Sequence, residues 1–111
     1  MSNGRDQLIK FNVIYPHKDG ARFDHNYYRE KHMPMLAARL GEACIAYSID
    51  KGLAGREPGS PSPFLASCSV LCESVERLQR ALEPHNHEIR SDVKNYTDVT
   101  PVVWISDVVV G

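Results

Sequence analysis

The chain has 111 residues, 42% hydrophobic and 24% charged, and a formal net charge of −1. That is the size and make-up of one globular domain, residues 1–111, with a modest core. The near-neutral balance excludes a basic nucleic-acid footprint, and no run approaches the roughly 18 apolar residues of a membrane span.

The start, Met1 to Asp6, is polar and lacks the apolar stretch of a secretory signal. Residues 7–15 read as a strand, with Ile9, Phe11, Val13 and Tyr15 at alternate positions. Pro16 ends it, and Lys18-Asp19-Gly20 is a turn signal. Asp24 is a good N-cap for a helix running to about Leu40, because its carboxylate can accept from free N–H groups of the first turn. Phe23 before it and Tyr28 within it fit a hydrophobic staple, and Gly41 suits the C-terminal cap. Pro34 removes one helical hydrogen bond and crowds Met33, so a kink or a restart of the helix is expected there.

Residues 43–52 form a second strand, with Ala43, Ile45, Tyr47 and Ile49 on one face. Residues 53–63 hold three prolines and two glycines and form a loop at the chain's midpoint. Phe64 to Cys72 is the third strand, and Ser74 caps a second helix with Val75, Leu78 and Leu82 on one side. Pro84 ends or bends that helix, and 85–96 has room for another helical turn. Val99 to Val110 is the last strand, with Pro101 near its start, where it is tolerated.

This order is the α+β, ferredoxin-like βαββαβ pattern: an antiparallel sheet with both helices on one face. Both faces of the strands carry apolar groups, since Leu8, Ile14, Cys44 and Ala46 lie opposite the main apolar rows. Two helices cover one side only, so a homodimer packed sheet to sheet is expected. Asn12, Ser48 and either Ser67 or Ser69 place small polar groups on the less apolar face. They would suit the wall of a substrate-binding pocket, or simply bond one another and the backbone.

The densest group of polar aromatic and titratable residues is Tyr27 to Pro34. Tyr28 and His32 are four apart on one helix face, and Leu36 and Leu40 turn that face toward the sheet. His32 would then be partly buried, near Asn12 or Ser48. A helix restart at Pro34 would set N–H groups ahead of His32 and favour a neutral imidazole, which suits general-base work. The rival role is structural, a ring bonded to the carbonyl of Glu30 that Pro34 leaves free.

Other groupings are weaker. Cys44, Cys68 and Cys72 are an odd number without framework spacing, which fits reduced thiols in the cytoplasm. His85, His87 and Glu88 follow Pro84 in a polar bend with no third ligand spaced for zinc, and read as surface. Asn95 and Asp98 read as turn formers around Tyr96. No phosphate loop, nucleophile elbow or paired-cysteine motif is present.

The run Phe23-Asp24-His25-Asn26-Tyr27-Tyr28-Arg29-Glu30-Lys31-His32-Met33-Pro34 resembles the signature helix of the EthD family, named for ethyl tert-butyl ether degradation. Val13-Ile14-Tyr15-Pro16 is similar to that family's first strand. Asp92-Val93-Lys94-Asn95-Tyr96-Thr97-Asp98, followed by Pro101, resembles its other conserved segment. The resemblance implies a ferredoxin-like fold dimerised as an α/β barrel, with a pocket between helices and sheet. By position it points to His32, with Tyr28 beside it, as the catalytic pair. It implies cofactor-independent isomerase, cyclase, lyase or monooxygenase-like chemistry on a small hydrophobic metabolite bearing a carbonyl or phenol. The alternative is a non-catalytic ligand-binding or accessory protein of an oxidative degradation pathway.

Overall fold

In the computed structural model, residues 7–111 are described; the polar start, 1–6, lies outside them. Strand β1, Ile9–Pro16, leads into helix α1 over 25–40. Helix α1 opens as α-helix at His25–Tyr27, passes through a π turn at Tyr28–His32 and continues as α-helix at Met33–Leu40. A 3₁₀ turn, Gly41–Ala43, precedes strand β2, Ala46–Lys51. After the Pro-rich loop come β3, Phe64–Cys72, helix α2, Val75–Leu82, helix α3, Asn86–Asp92, and β4, Val102–Asp107. The sheet order is β2-β3-β1-β4, antiparallel throughout, which is the ferredoxin-like α+β arrangement.

The caps explain the helix starts. Asp24 accepts from the Tyr27 N–H, and Ser74 accepts from the Arg77 N–H. Phe23 and Tyr28 meet edge to face at 5.2 Å, the contact a staple requires. Gly41 ends α1 with φ of 58°, a left-handed backbone in which a side chain would be strained.

At Pro34 the helix runs on without a break, by way of a π turn just before it. The Met33 N–H reaches back to the Tyr28 carbonyl, so the turn before the proline is widened by one residue. The widened turn absorbs the missing N–H at Pro34 without breaking the helix. The second strand is shorter than its pattern suggested, because Ala43 is drawn into the 3₁₀ turn. The last strand likewise keeps only Val102–Asp107.

The register settles which face the helices cover. Val13 pairs with Cys68 and Val103, and these point to the helices together with Ile9, Phe11 and Tyr15. Asn12 pairs with Ser69, and Ser69 with Ser48, on the opposite face. Ser67, opposite Ile14 and Asp50, lies there too. The core fills the space under α1 and α2 with Met33, Leu36, Leu40 and Leu78. At roughly 1.5–3 kcal/mol for each large side chain, this layer is a main source of stability.

Candidate functional site

His32 stands in the π turn, 4% exposed, on the sheet-facing side of α1. Its Nδ1 lies 2.9 Å from the Asp92 carboxylate at the end of α3, and this contact takes the place of the rival arrangement, a ring bonded to the Glu30 carbonyl. Asp92 also accepts from the Tyr27 hydroxyl at 2.6 Å and from the Asn95 amide at 2.9 Å. Burial works to raise the Asp92 pKa, but the hydrogen bonds from Tyr27, Asn95 and His32 outweigh it and hold the carboxyl below its usual range. Burial pushes His32 below the ordinary imidazole value, against the opposing pull of Asp92. A carboxylate can only accept, so the neutral ring carries its proton on Nδ1 and leaves the Nε2 lone pair free. Burial, and not a helix restart, is what favours a neutral imidazole here.

Two distant segments meet to build this site. The Asp24 N–H donates to the Tyr96 carbonyl at 2.7 Å, and the Thr97 hydroxyl donates to the Arg22 carbonyl at 2.6 Å. Asp98 accepts from the Arg22 N–H. These bonds fasten 92–98 against the start of α1 and set Asp92 and Tyr96 beside His32. Asn95 and Asp98 therefore serve this junction as well as their own turn.

Aromatic rings close the site. Tyr28 stacks on His32 at 5.6 Å with 13° between the planes, and Tyr96 lies 4.6 Å from His32 on another side. Tyr15 and Tyr96 share a short hydroxyl–hydroxyl hydrogen bond. Burial raises the pKa of all three tyrosines, Tyr15 to about 12 and the other two further still. The Tyr28 hydroxyl is different in one respect. It sits beside the Cys68 thiol, a weak partner, and among the described residues it is the buried side-chain oxygen or nitrogen with no hydrogen bond.

His32, Tyr28 and Cys68 all line a cavity of about 330 Å³ between the helices and the sheet, open toward β4 and α3. Its volume equals about ten liquid waters, room for a small organic molecule. The inner wall is apolar and aromatic apart from His32, with Tyr15 and Tyr28 among its lining, and Gln79, Asn86 and Arg90 stand at the more exposed rim.

The residues singled out in the sequence therefore separate. His32 and Tyr28 come together at the cavity. Asn12, Ser48 and Ser67 do not join them, because the helices cover the more apolar face of the sheet. Asn12 instead bonds Ser106 and Ser69, each at 2.9 Å, on the open face. Asp92 was not singled out by itself, although it heads the second motif; its sixty-residue separation from His32 leaves no periodic signal. His85 and Glu88 lie 4.0 Å apart, and Glu88 is held by Arg39. Among the described residues no three or more His, Cys, Asp or Glu side chains gather as metal ligands. No helix among them is long and apolar enough to cross a membrane.

Fold and site together define a ferredoxin-like α+β domain with a histidine–aspartate pair at a helix–sheet cavity. The family model described as "EthD domain" matches residues 20–100, and the chain belongs to the EthD family. An EthD-like protein from Ralstonia eutropha JMP134 is 52% identical, with 94% of each chain covered and a TM-score of 0.91. An ethyl tert-butyl ether degradation family protein from Bacillus halodurans C-125 shares the fold at 14% identity, covering 86% of this chain and 96% of that one, with a TM-score of 0.57. SnoaB, a cofactor-independent oxygenase from Streptomyces nogalater, does so at 12% identity over 91% of both chains, with a TM-score of 0.56. No curated protein matches the chain.

Proposed function

We propose that the cavity receives a small, mostly apolar molecule bearing a carbonyl or phenol, and that His32 acts on it as a general base. The observation that carries this reading is the His32–Asp92 hydrogen bond, which occupies Nδ1 and leaves Nε2 as the free acceptor of a cavity-lining ring. Asp92 fixes the tautomer and steadies the imidazolium that forms when Nε2 takes a proton. Tyr28, which lines the cavity beside His32, would donate its hydroxyl to the oxygen on which negative charge builds once a ligand is bound against it. Proton transfer of this kind needs side chains alone. SnoaB is described as cofactor-independent; at 12% identity it supports the fold, and the chemistry proposed here stands on His32.

The test uses small aromatic and lactone-like compounds, screened by thermal shift and then followed for turnover by mass spectrometry. His32→Ala should abolish turnover while leaving fold and assembly intact. Unchanged turnover in that variant overturns the reading. A second reading, a binding or accessory protein without turnover, is favoured by the Tyr28 hydroxyl, which a bound ligand satisfies whether or not it reacts. In that case His32→Ala alters affinity and no compound is transformed.

A homodimer packed through the open face of the sheet belongs to the same proposal. Val102 and Trp104 on that face are 54% and 42% exposed, an apolar surface that a second copy would cover. The three free cysteines support a reducing compartment such as the cytoplasm.

A further inference from the structure

We infer that the cavity prefers ligands carrying a carboxylate at the end away from His32, and that Arg90 is the residue that selects them. The inference rests on the reading of the cavity as a ligand site and adds the charge of the ligand. Asn86, Ile89, Arg90 and Val93 all line the cavity, spaced as one face of the helix formed by α3 and the turn after it. Ile89 and Val93 are half-buried, whereas Arg90 is exposed, so this residue stands where the cavity meets solvent.

The charge around it is one-sided. Among the described residues no aspartate or glutamate lines the cavity, and Arg90 is the one permanently charged residue that does. The acids of the same helix are turned elsewhere. Glu88 takes both hydrogen bonds from Arg39, at 2.8 and 2.9 Å, and Asp92 is taken up by Tyr27, His32 and Asn95. The Arg90 side chain makes no hydrogen bond or ion pair with the described residues, whereas Arg39 and Arg77 are both paired.

The inner end of the cavity points to the opposite polarity. Burial disfavours the charged form of His32, and among the described residues no lysine or arginine lines that end, so nothing there answers a full negative charge. An anionic group is therefore best placed at the rim, with the carbonyl or phenol inward. A lone guanidinium presents a planar fork that matches one carboxylate. The ligand class is an apolar monocarboxylic acid whose far end reaches His32 and Tyr28.

Matched carboxylic acid and primary amide pairs test this, built on one aromatic ring, on two fused rings and on a straight alkyl chain. Binding is measured by calorimetry on the full chain at low and high salt. In at least one pair the acid should bind about fivefold or more tighter than its amide, and added salt should shrink that margin. Arg90→Met, which keeps the stem and removes the charge, should bring the acid down to the amide's affinity and leave the amide unchanged. Arg80→Gln, on α2 and away from this cavity, should keep the preference. Equal binding of acid and amide, or an equal loss of both in Arg90→Met, overturns the role of Arg90 and leaves the cavity's role standing. If no member of any pair binds, both fall.

Discussion

Tyr28→Phe should stabilise the ligand-free protein, although it removes a polar group from the site. The Tyr28 side chain is 1% exposed, and its hydroxyl has lost water without gaining a hydrogen bond from the protein. Leaving such a group buried and unsatisfied costs about 1–3 kcal/mol. Deleting one oxygen recovers part of that and leaves a void too small to cost much, so a net gain of about 1 kcal/mol is expected. For 111 residues the unfolding entropy is about 230 cal/mol/K, so the gain corresponds to a rise of about 4 °C in Tm. Tyr15→Phe is the matched control, since it breaks the hydroxyl pair and strands the Tyr96 hydroxyl, which is fully buried. It should lose about 1–3 kcal/mol. Both are read by urea and thermal unfolding of ligand-free protein at one concentration, so that any assembly affects them alike. A loss in Tyr28→Phe equal to that in Tyr15→Phe would show that the Tyr28 hydroxyl is satisfied, and its role as a waiting donor would be refuted.

Stability should fall as pH drops below about 6.5, because the folded protein holds His32 below that unfolded value and the unfolded chain then binds more protons. His32 contributes fully above 6.5, and its share is lost as pH falls toward the folded value. His25 shifts in the same direction, so the diagnostic is a shallower slope in His32→Gln; an unchanged slope contradicts the assignment. Asn12→Ala, which removes the bonds to Ser69 and Ser106, should cost about 1–2 kcal/mol in urea unfolding. It should not touch ligand affinity, and weakened binding would return Asn12 to the site. Trp104→Asp, on the open sheet face, should turn a dimer into a monomer in sedimentation velocity; a wild-type monomer would end the sheet-to-sheet proposal.

The helices and strands were legible because their signals are local. Asp24 and Ser74 cap the chain where they were expected to, and the period-two rows of β1 and β3 set their own faces. Tyr28 and His32 were legible as a pair for the same reason, being four apart on one helix. Which sheet face the helices would cover mattered to Asn12, Ser48 and Ser67, and apolar residues on both faces made a pocket wall there plausible. The register shows the helices on the more apolar row, as burial favours. The partner of His32 lay sixty residues away, joined by backbone bonds such as Asp24 to Tyr96 that no spacing rule describes. The effect of Pro34 was visible in kind and missed in form, since a widened turn and a break both accommodate a proline without an N–H.

That widened turn has a genetic consequence. An α-helix rotates 100° per residue, and a π turn holds one residue more than the regular spiral allows. Deleting a single codon within 28–32 would let the helix close into ordinary α geometry with its caps untouched. It would leave Phe23 to Tyr27 and Met33 to Leu40 in phase, because the wide turn already absorbs the extra residue, and would fall on the site alone by removing or re-spacing Tyr28 and His32. Point substitutions can alter the chemistry of His32, but a one-residue deletion could dismantle its surroundings and leave a folded domain behind. Among relatives, gaps in this helix are therefore a sharper sign of changed activity than replacements within it.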